Sequence, residues 1–228
     1  NRNFSEVIKE SLIILKKHDN DFLWNLVGLS YQNINKHEKS VDCFKNAIQV
    51  NSQNFSAFNN LGISYKKLRK YKKAEVSLLK SIDINPNYVN AMVNIGNIKN
   101  ETYFFEEAIK YYKEAIKLNN KLPLIYLNLA NVYQTINQID EAKKYFNEAV
   151  NIDETFTIAD QKLTMLEEYD KNNSHLKKMI NNPGKTFSRE DIGSLIDLDK
   201  ERSIDVIVTR LRKKIEVNPK NPKFLQTI

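Results

Sequence analysis

Residues 55–88 read FSAFNNLGISYKKLRKYKKAEVSLLKSIDINPNY, and the stretch holds two helical patterns separated by a break. Phe58, Leu61, Gly62 and Tyr65 recur at the spacing of one helix face. The pattern stops near residues 69–71 and resumes with Ala74, Leu78, Ser81 and Ile82. Asn85-Pro86-Asn87 then signals a turn, as do Ser52-Gln53-Asn54 and Asn119-Asn120 elsewhere in the chain. The unit recurs. Three of the five glycines, Gly28, Gly62 and Gly96, stand 34 residues apart, and the next step lands on Ala130. A fixed period in this range is the mark of a solenoid.

Further columns keep the same interval. Ser40, Ala74, Ala108 and Ala142 form a small-residue column, and Ala47, Ser81, Ala115 and Ala149 form another. Phe44, Leu78, Tyr112 and Phe146 are large and apolar. Tyr31, Tyr65 and Tyr133 share a column that Lys99 interrupts. Small residues let two helix backbones come close, and large ones fill the space beside them. Each unit is then an antiparallel helix pair that cannot bury its apolar face alone, so stacking supplies the core. The period assigns the aromatic columns to packing between helices and not to a cofactor.

A 34-residue helix–turn–helix with large, large, Gly/Ala, Tyr, Ala, aromatic and Ala in order resembles the tetratricopeptide repeat (TPR). The resemblance implies an all-α, right-handed solenoid of helix-turn-helix repeats with four full repeats at 21–54, 55–88, 89–122 and 123–156. Residues 1–20 contain SEVIKESLIILKK at 5–17, similar to the second helix of an earlier repeat. Residues 157–174 are expected to form a capping helix and junction, with 157–169 similar to one more first helix.

Members of this family hold peptides or partner proteins in a concave groove lined by the first helices, so a protein or peptide ligand is the expected partner. One variety clamps a C-terminal carboxylate with Lys and Arg. The matching positions here are Asn25, Asn59, Val93 and Leu127, which does not support that clamp. A different ladder is present. Asn60, Asn94 and Asn128 recur at 34, and Asn97 and Asn131 form a second pair at 34. An asparagine amide both donates and accepts, so a row of them can pair with an extended peptide backbone of any sequence. FNNLG, VNIG and LNLA resemble the asparagine ladder in the TPR arms of O-GlcNAc transferases, and also the TPR arms attached to bacterial sulfotransferases. The competing reading is local bonding by an abundant residue type.

The tail differs. Residues 1–170 carry 22 Lys/Arg against 21 Asp/Glu, whereas residues 171–228 carry 13 against 7. Such asymmetry points to an anionic partner or to plain lysine bias. On a helix, RSIDVIVTRLRKKIE (202–216) places Ile204, Ile207, Val208, Leu211 and Ile215 on one stripe. Arg202, Val206, Thr209, Arg210 and Lys213 lie opposite, which is equipment for a major groove. Together with NPGKTFSRE and NPKNPKFLQTI, roughly 175–228 resembles the winged-helix DNA-binding domain of OmpR/PhoB-type response regulators. The resemblance implies possible duplex DNA as a ligand and a transcription-regulating role. Arg202 and Arg212 match phosphate contacts in that family, and Ser203, Val206, Thr209 and Arg210 match base-facing positions. The match is partial: the receiver domain, the N-terminal sheet and the Arg-Gly-x-Gly-Tyr strand of the wing are not in it. A junction between two unrelated proteins is expected near 170–180, whether by natural fusion, engineering or assembly from fragments.

Catalytic signatures are missing. There is no P-loop, G-x-G-x-x-G or G-x-S-x-G, and His18, His37 and His175 are scattered. Glu106-Glu107 and Glu167-Glu168 are sequence neighbours that point about 100° apart on a helix, so they do not converge. No metal ligands cluster, and no cofactor is expected. The single Cys43 excludes an internal disulfide and fits a cytoplasmic setting, and no apolar run approaches the ~20 residues of a membrane span. KKLRKYKK (66–73) spans a helix end and its turn, where cations are favourable, so a solvated turn is expected rather than a nucleic-acid patch. Three functions stay in view: a non-catalytic scaffold binding a protein or peptide in its groove, a DNA-binding regulator using helix 202–215, and the substrate-presenting arm of a sulfotransferase without its catalytic domain.

Overall fold

The computed structural model describes the backbone of residues 2–180 and the side chains of residues 3–168. The chain divides into two compact units, Asn1–Asp160 and Gln161–Ile228. Among the described residues every regular element is a helix: α1 (Arg2–Leu15), α2 (Asp21–Asn33), α3 (His37–Val50), α4 (Phe55–Lys67), α5 (Tyr71–Ile84), α6 (Val89–Glu101), α7 (Phe105–Leu118), α8 (Pro123–Thr135), α9 (Ile139–Ile152) and α10 (Thr157–Ile180). α2 to α9 are four pairs, each a 13-residue first helix and a 14-residue second helix. The four pairs lie within residues 21–152, with α1 before them and α10 after them in the chain. None of the described helices is long and apolar enough to cross a membrane.

The turns are as periodic as the helices. Each first helix ends on a non-glycine residue with positive φ: Asn35, Arg69, Tyr103 and Asn137, at 57°, 56°, 65° and 61°. At each, the next N–H reaches back five residues, as from Lys36 to the Tyr31 carbonyl and from Lys70 to that of Tyr65, both at 2.9 Å. This reversal satisfies carbonyls that the ending helix leaves open. Each second helix ends on an Asx residue, Asn51, Asn85, Asn119 or Asp153. Its Oδ1 accepts the N–H two residues on, at 2.9–3.1 Å. Asparagine and aspartate suit that turn because the side chain mimics a backbone carbonyl.

Packing within the first compact unit follows from the small-residue columns. Paired helices lie side by side, and each second helix also packs on the first helix of the next repeat. First helices meet one another across repeats, α2 with α4, α4 with α6 and α6 with α8. Second helices show no comparable pairing among the described residues, so the first helices form the inner wall. Phe44, Leu78, Tyr112 and Phe146 are at most 1% exposed. The glycines face them. A Cβ on Gly28 would sit 2.5 Å from the Phe44 ring, one on Gly62 would be 2.6 Å from Leu78 Cγ, and one on Gly96 would be 2.6 Å from the Tyr112 ring. At these three points the large side chain of the second helix leaves no room for a Cβ on the first.

Two charged features differ from sequence expectation. Lys66 and Lys67 do end α4, where cations are favoured, but Lys70 caps α5 and Lys72 and Lys73 lie in its first turn. There the helix dipole disfavours them, so the helix-end explanation of KKLRKYKK holds only for its first half. Lys99, which interrupts the tyrosine column, is turned to another use. Its Nζ lies 2.7 Å from Glu75 of α5 and 2.7 Å from Glu107 of α7, joining the second repeat to the third, with the Phe104 ring centroid 5.4 Å away. Burial alone would lower the Lys99 pKa, but the hydrogen bonds to Glu107 and Glu75 outweigh it and hold it above its ordinary value.

Gly96→Ala is expected to destabilise by about 1–3 kcal/mol, because the Tyr112 ring is held in place by its hydroxyl bond to Asn97 Oδ1 at 2.7 Å. Midpoints of urea unfolding at unchanged slope measure this. Lys99→Met is expected to cost about 1–2 kcal/mol at neutral pH, the carboxylates being partly solvated. A raised folded pKa gives stability that is complete below the unfolded value and lost as pH climbs through the folded one. The gap between wild type and Lys99→Met should therefore close above about pH 10.4, as unfolding midpoints against pH would report.

Candidate functional site

The inner wall carries a relay of amides. Asn94 Nδ2 on α6 donates to Asn59 Oδ1 on α4 at 2.9 Å. Asn59 Nδ2 donates to Asn60 Oδ1 at 3.1 Å, and Asn60 Nδ2 donates to Asn25 Oδ1 on α2 at 3.0 Å. A second group lies toward α8. Asn128 Nδ2 donates to Asn97 Oδ1 at 3.2 Å, and the Tyr112 hydroxyl donates to the same oxygen. The first helices carry ten asparagines, and seven of them fall in the clamp or ladder columns: Asn25, Asn59, Asn60, Asn94, Asn97, Asn128 and Asn131. Six of them join the relay or the second group, and no bond of this network includes the Asn131 side chain, one helical turn beyond Asn128.

Burial sorts the ladder. Asn59 and Asn60 are 3% and 8% exposed, and both Asn60 amide atoms are engaged. Asn25, Asn94, Asn97, Asn128 and Asn131 are half-buried and keep a face toward solvent. Behind the relay, Gln32 Nε2 donates to the Asn60 carbonyl at 2.9 Å and to Ser64 Oγ at 2.7 Å, and Ser64 pairs with Ser40 at 2.7 Å. The only buried side-chain polar atom without a partner among the described residues is His37 Nδ1. The six amides of the relay and the second group are therefore fixed in rotation by their neighbours.

The wall is neutral where the relay runs. At the positions of the carboxylate clamp, Asn59 and Leu127 are buried, and Asn25 and Val93 are half-buried. No cation stands there. The charges lie at the margins: Lys66 pairs with Glu101 at 2.7 Å near the helix ends. At the opposite end, Asp21 accepts Asn51 Nδ2 at 2.8 Å and Asn54 Nδ2 at 2.9 Å. The Asn51 bond, ahead of the other causes, holds that carboxyl below its ordinary value. Cys43 is buried, and burial first, then the Asp42 charge, push its thiol up to about 11, which keeps it a packing residue. No group of three or more metal-ligating side chains occurs among the described residues.

Sequence reasoning placed Asn60, Asn94, Asn97 and Asn128 on this wall but took Asn25 and Asn59 only as a missing clamp. Their own 34-residue spacing was the signal that they belong with the others. The role of the Tyr112 hydroxyl had no signal, since the column otherwise holds Phe and Leu. Arg202, Ser203, Val206, Thr209, Arg210, Arg212 and Lys213 lie outside the described residues.

Models of the tetratricopeptide repeat match residues 23–54, 55–88 and 87–155. A model described as transcriptional regulatory protein, C terminal, matches residues 170–228, where the sequence resembles a winged helix. No curated protein sequence matches the chain. Among solved structures, MamA is 22% identical with a TM-score of 0.61, over 66% of this chain and 89% of that one. YrrB, described as a TPR protein with an unusual peptide-binding site, is 17% identical with a TM-score of 0.58, over 71% and 84%. TTC0263, a thermophilic TPR protein in Thermus thermophilus, is 15% identical with a TM-score of 0.62, over 72% and 90%. The repeat matches together span residues 23–155, more than half of the chain, and it belongs to the tetratricopeptide repeat family.

Proposed function

We propose that the repeat array is a non-catalytic scaffold that holds an extended peptide, or an extended segment of a partner protein, along the inner wall of its first helices. The amide relay from Asn94 to Asn25 carries this reading. Asn59 and Asn60 act as its buried support. Asn94, Asn97, Asn128 and Asn131 present the amides that meet the ligand. Amides already oriented by one another lose little freedom on binding, and Asn94 and Asn128 each use one amide N–H within the network, leaving an N–H and the carbonyl oxygen for a passing backbone. The neutral wall suits the middle of a chain better than a terminal carboxylate. The fold shared with YrrB, a peptide-binding relative in architecture, supports the same direction.

A second reading rests on the match over residues 170–228. In it the tail binds duplex DNA, with Arg202, Arg212 and Lys213 on phosphates and Ser203, Val206, Thr209 and Arg210 toward bases. The repeat array then recruits or senses a partner.

For the first reading, peptides selected from a display library are titrated against wild type and Asn94→Ala/Asn128→Ala. Two lost amides at about 0.5–1.5 kcal/mol per hydrogen bond should weaken binding roughly tenfold or more, with helicity unchanged. Equal affinity in the variant discards the ladder. For the second, retention of duplex DNA should fall steeply with salt, and Arg210→Ala should cost about 1–3 kcal/mol at a preferred site. No retention even at low salt removes it.

A further inference from the structure

α5 is the one second helix of the four pairs without an acid in its first turn. α3 has Glu38 in its first turn, α7 has Glu106 and Glu107, and α9 has Asp140 and Glu141. α5 has no acid there: Lys72 stands where the others have Glu38, Glu106 and Asp140, and Arg69 precedes it in a left-handed turn. Lys70 and Lys73 repeat Lys36 and Lys39 of α3, and Lys73 lies over the Tyr65 ring as Lys39 does over Tyr31. Lys72 joins Lys70 and Arg69 in an exposed cationic cluster without an acid beside it, which points to a use elsewhere. The cations rim a cleft of about 660 Å³ between the second and third repeats. Its wall is apolar, with Tyr71, Ile98 and Phe104, and Phe104 is 57% exposed. Lys99 and Glu75 also line it, and Lys99 is already engaged by Glu75 and Glu107. Arg69, Lys70 and Lys72 are exposed and form no ion pair among the described residues. The cleft lies at the turn between first and second helices, away from the amide relay.

We propose that this cleft is a second docking surface, which takes a short acidic peptide segment carrying an apolar or aromatic side chain. The side chain enters against Phe104 and Tyr71, above the buried Ile98, and flanking carboxylates meet Arg69, Lys70 and Lys72. A cleft of this size holds a few residues. The charge distribution selects a short peptide over a nucleic acid. The next turns along the same edge begin with Glu106 and Glu107, then Asp140 and Glu141, which repel a continuing run of phosphates.

The test titrates a fluorescein-labelled Glu-Asp-Phe-Asp-Glu peptide with the 228-residue chain by anisotropy at low salt. Lys70→Glu/Lys72→Glu should weaken binding about tenfold or more. Acids at the start of α5 favour the helix, so this variant keeps its helicity. Lys45→Glu/Lys110→Glu, which changes net charge equally on other exposed helix faces, should leave affinity within about twofold. Phe104→Ala, or Phe→Ser in the peptide, should cost about threefold or more. Asn94→Ala/Asn128→Ala should leave this probe unaffected, which separates the cleft from the inner wall. Equal loss in both charge-reversed variants, no loss in Lys70→Glu/Lys72→Glu, indifference to the peptide phenylalanine, or a ten-residue oligo-dT binding through the same lysines would each overturn the proposal.

Discussion

The contact of a large second-helix side chain with the first-helix backbone at Gly28, Gly62 and Gly96 is the constraint on which the first three repeats depend. With no Cβ in the way, the large residue of the second helix lies directly on the backbone of the first, and Phe44, Leu78 and Tyr112 disappear from solvent. That contact sets the geometry within a repeat. The 34-residue interval then copies it, and each second helix hands its remaining apolar surface to the next first helix. Stability in such a chain is a sum of repeats and nearest-neighbour interfaces. No single core residue governs the whole, but each junction matters to its two neighbours. The Lys99 bridge to Glu75 is one place where a junction has acquired a polar tie in addition to packing.

The same geometry explains the division of chemistry between wall and edge. The first helices face one another, so whatever their inner positions hold is brought into rows. Here those rows are amides, and they bond to one another across α2, α4 and α6. The turns between helices form a separate edge. Beside turn residues that pack on the core, such as Leu68 and Tyr71, the exposed ones can differ from one repeat to the next, as Arg69, Lys70 and Lys72 and the acids of the following repeats do. A scaffold with a uniform neutral wall and an uneven charged edge can address two features of a partner at once.

How much of this was legible in advance depended on residue chemistry. The packing columns were readable because only small residues fit one position and only large ones fit another. The left-handed turn column was not, because Asn35, Arg69, Tyr103 and Asn137 share a backbone conformation and nothing else. The Asx column at Asn51, Asn85, Asn119 and Asp153 kept its chemistry, yet in an asparagine-rich chain it did not stand out. The ladder was half visible for the same reason: its 34-residue spacing showed, but which amides support and which face outward is decided by burial. The charge anomaly at α5 needed the helix boundary, since Lys66–Lys73 straddles two helices with opposite dipole ends.

Deletion of one whole repeat, residues 89–122, tests the modular geometry most directly. If every junction is equivalent, α5 meets α8 as α7 does now, and the shortened chain folds cooperatively. Its helical ellipticity would fall only by the share of the removed pair. A shortened chain that loses its helical signal altogether, or melts without cooperativity, would show that the repeats are not interchangeable modules and would contradict the solenoid at its root.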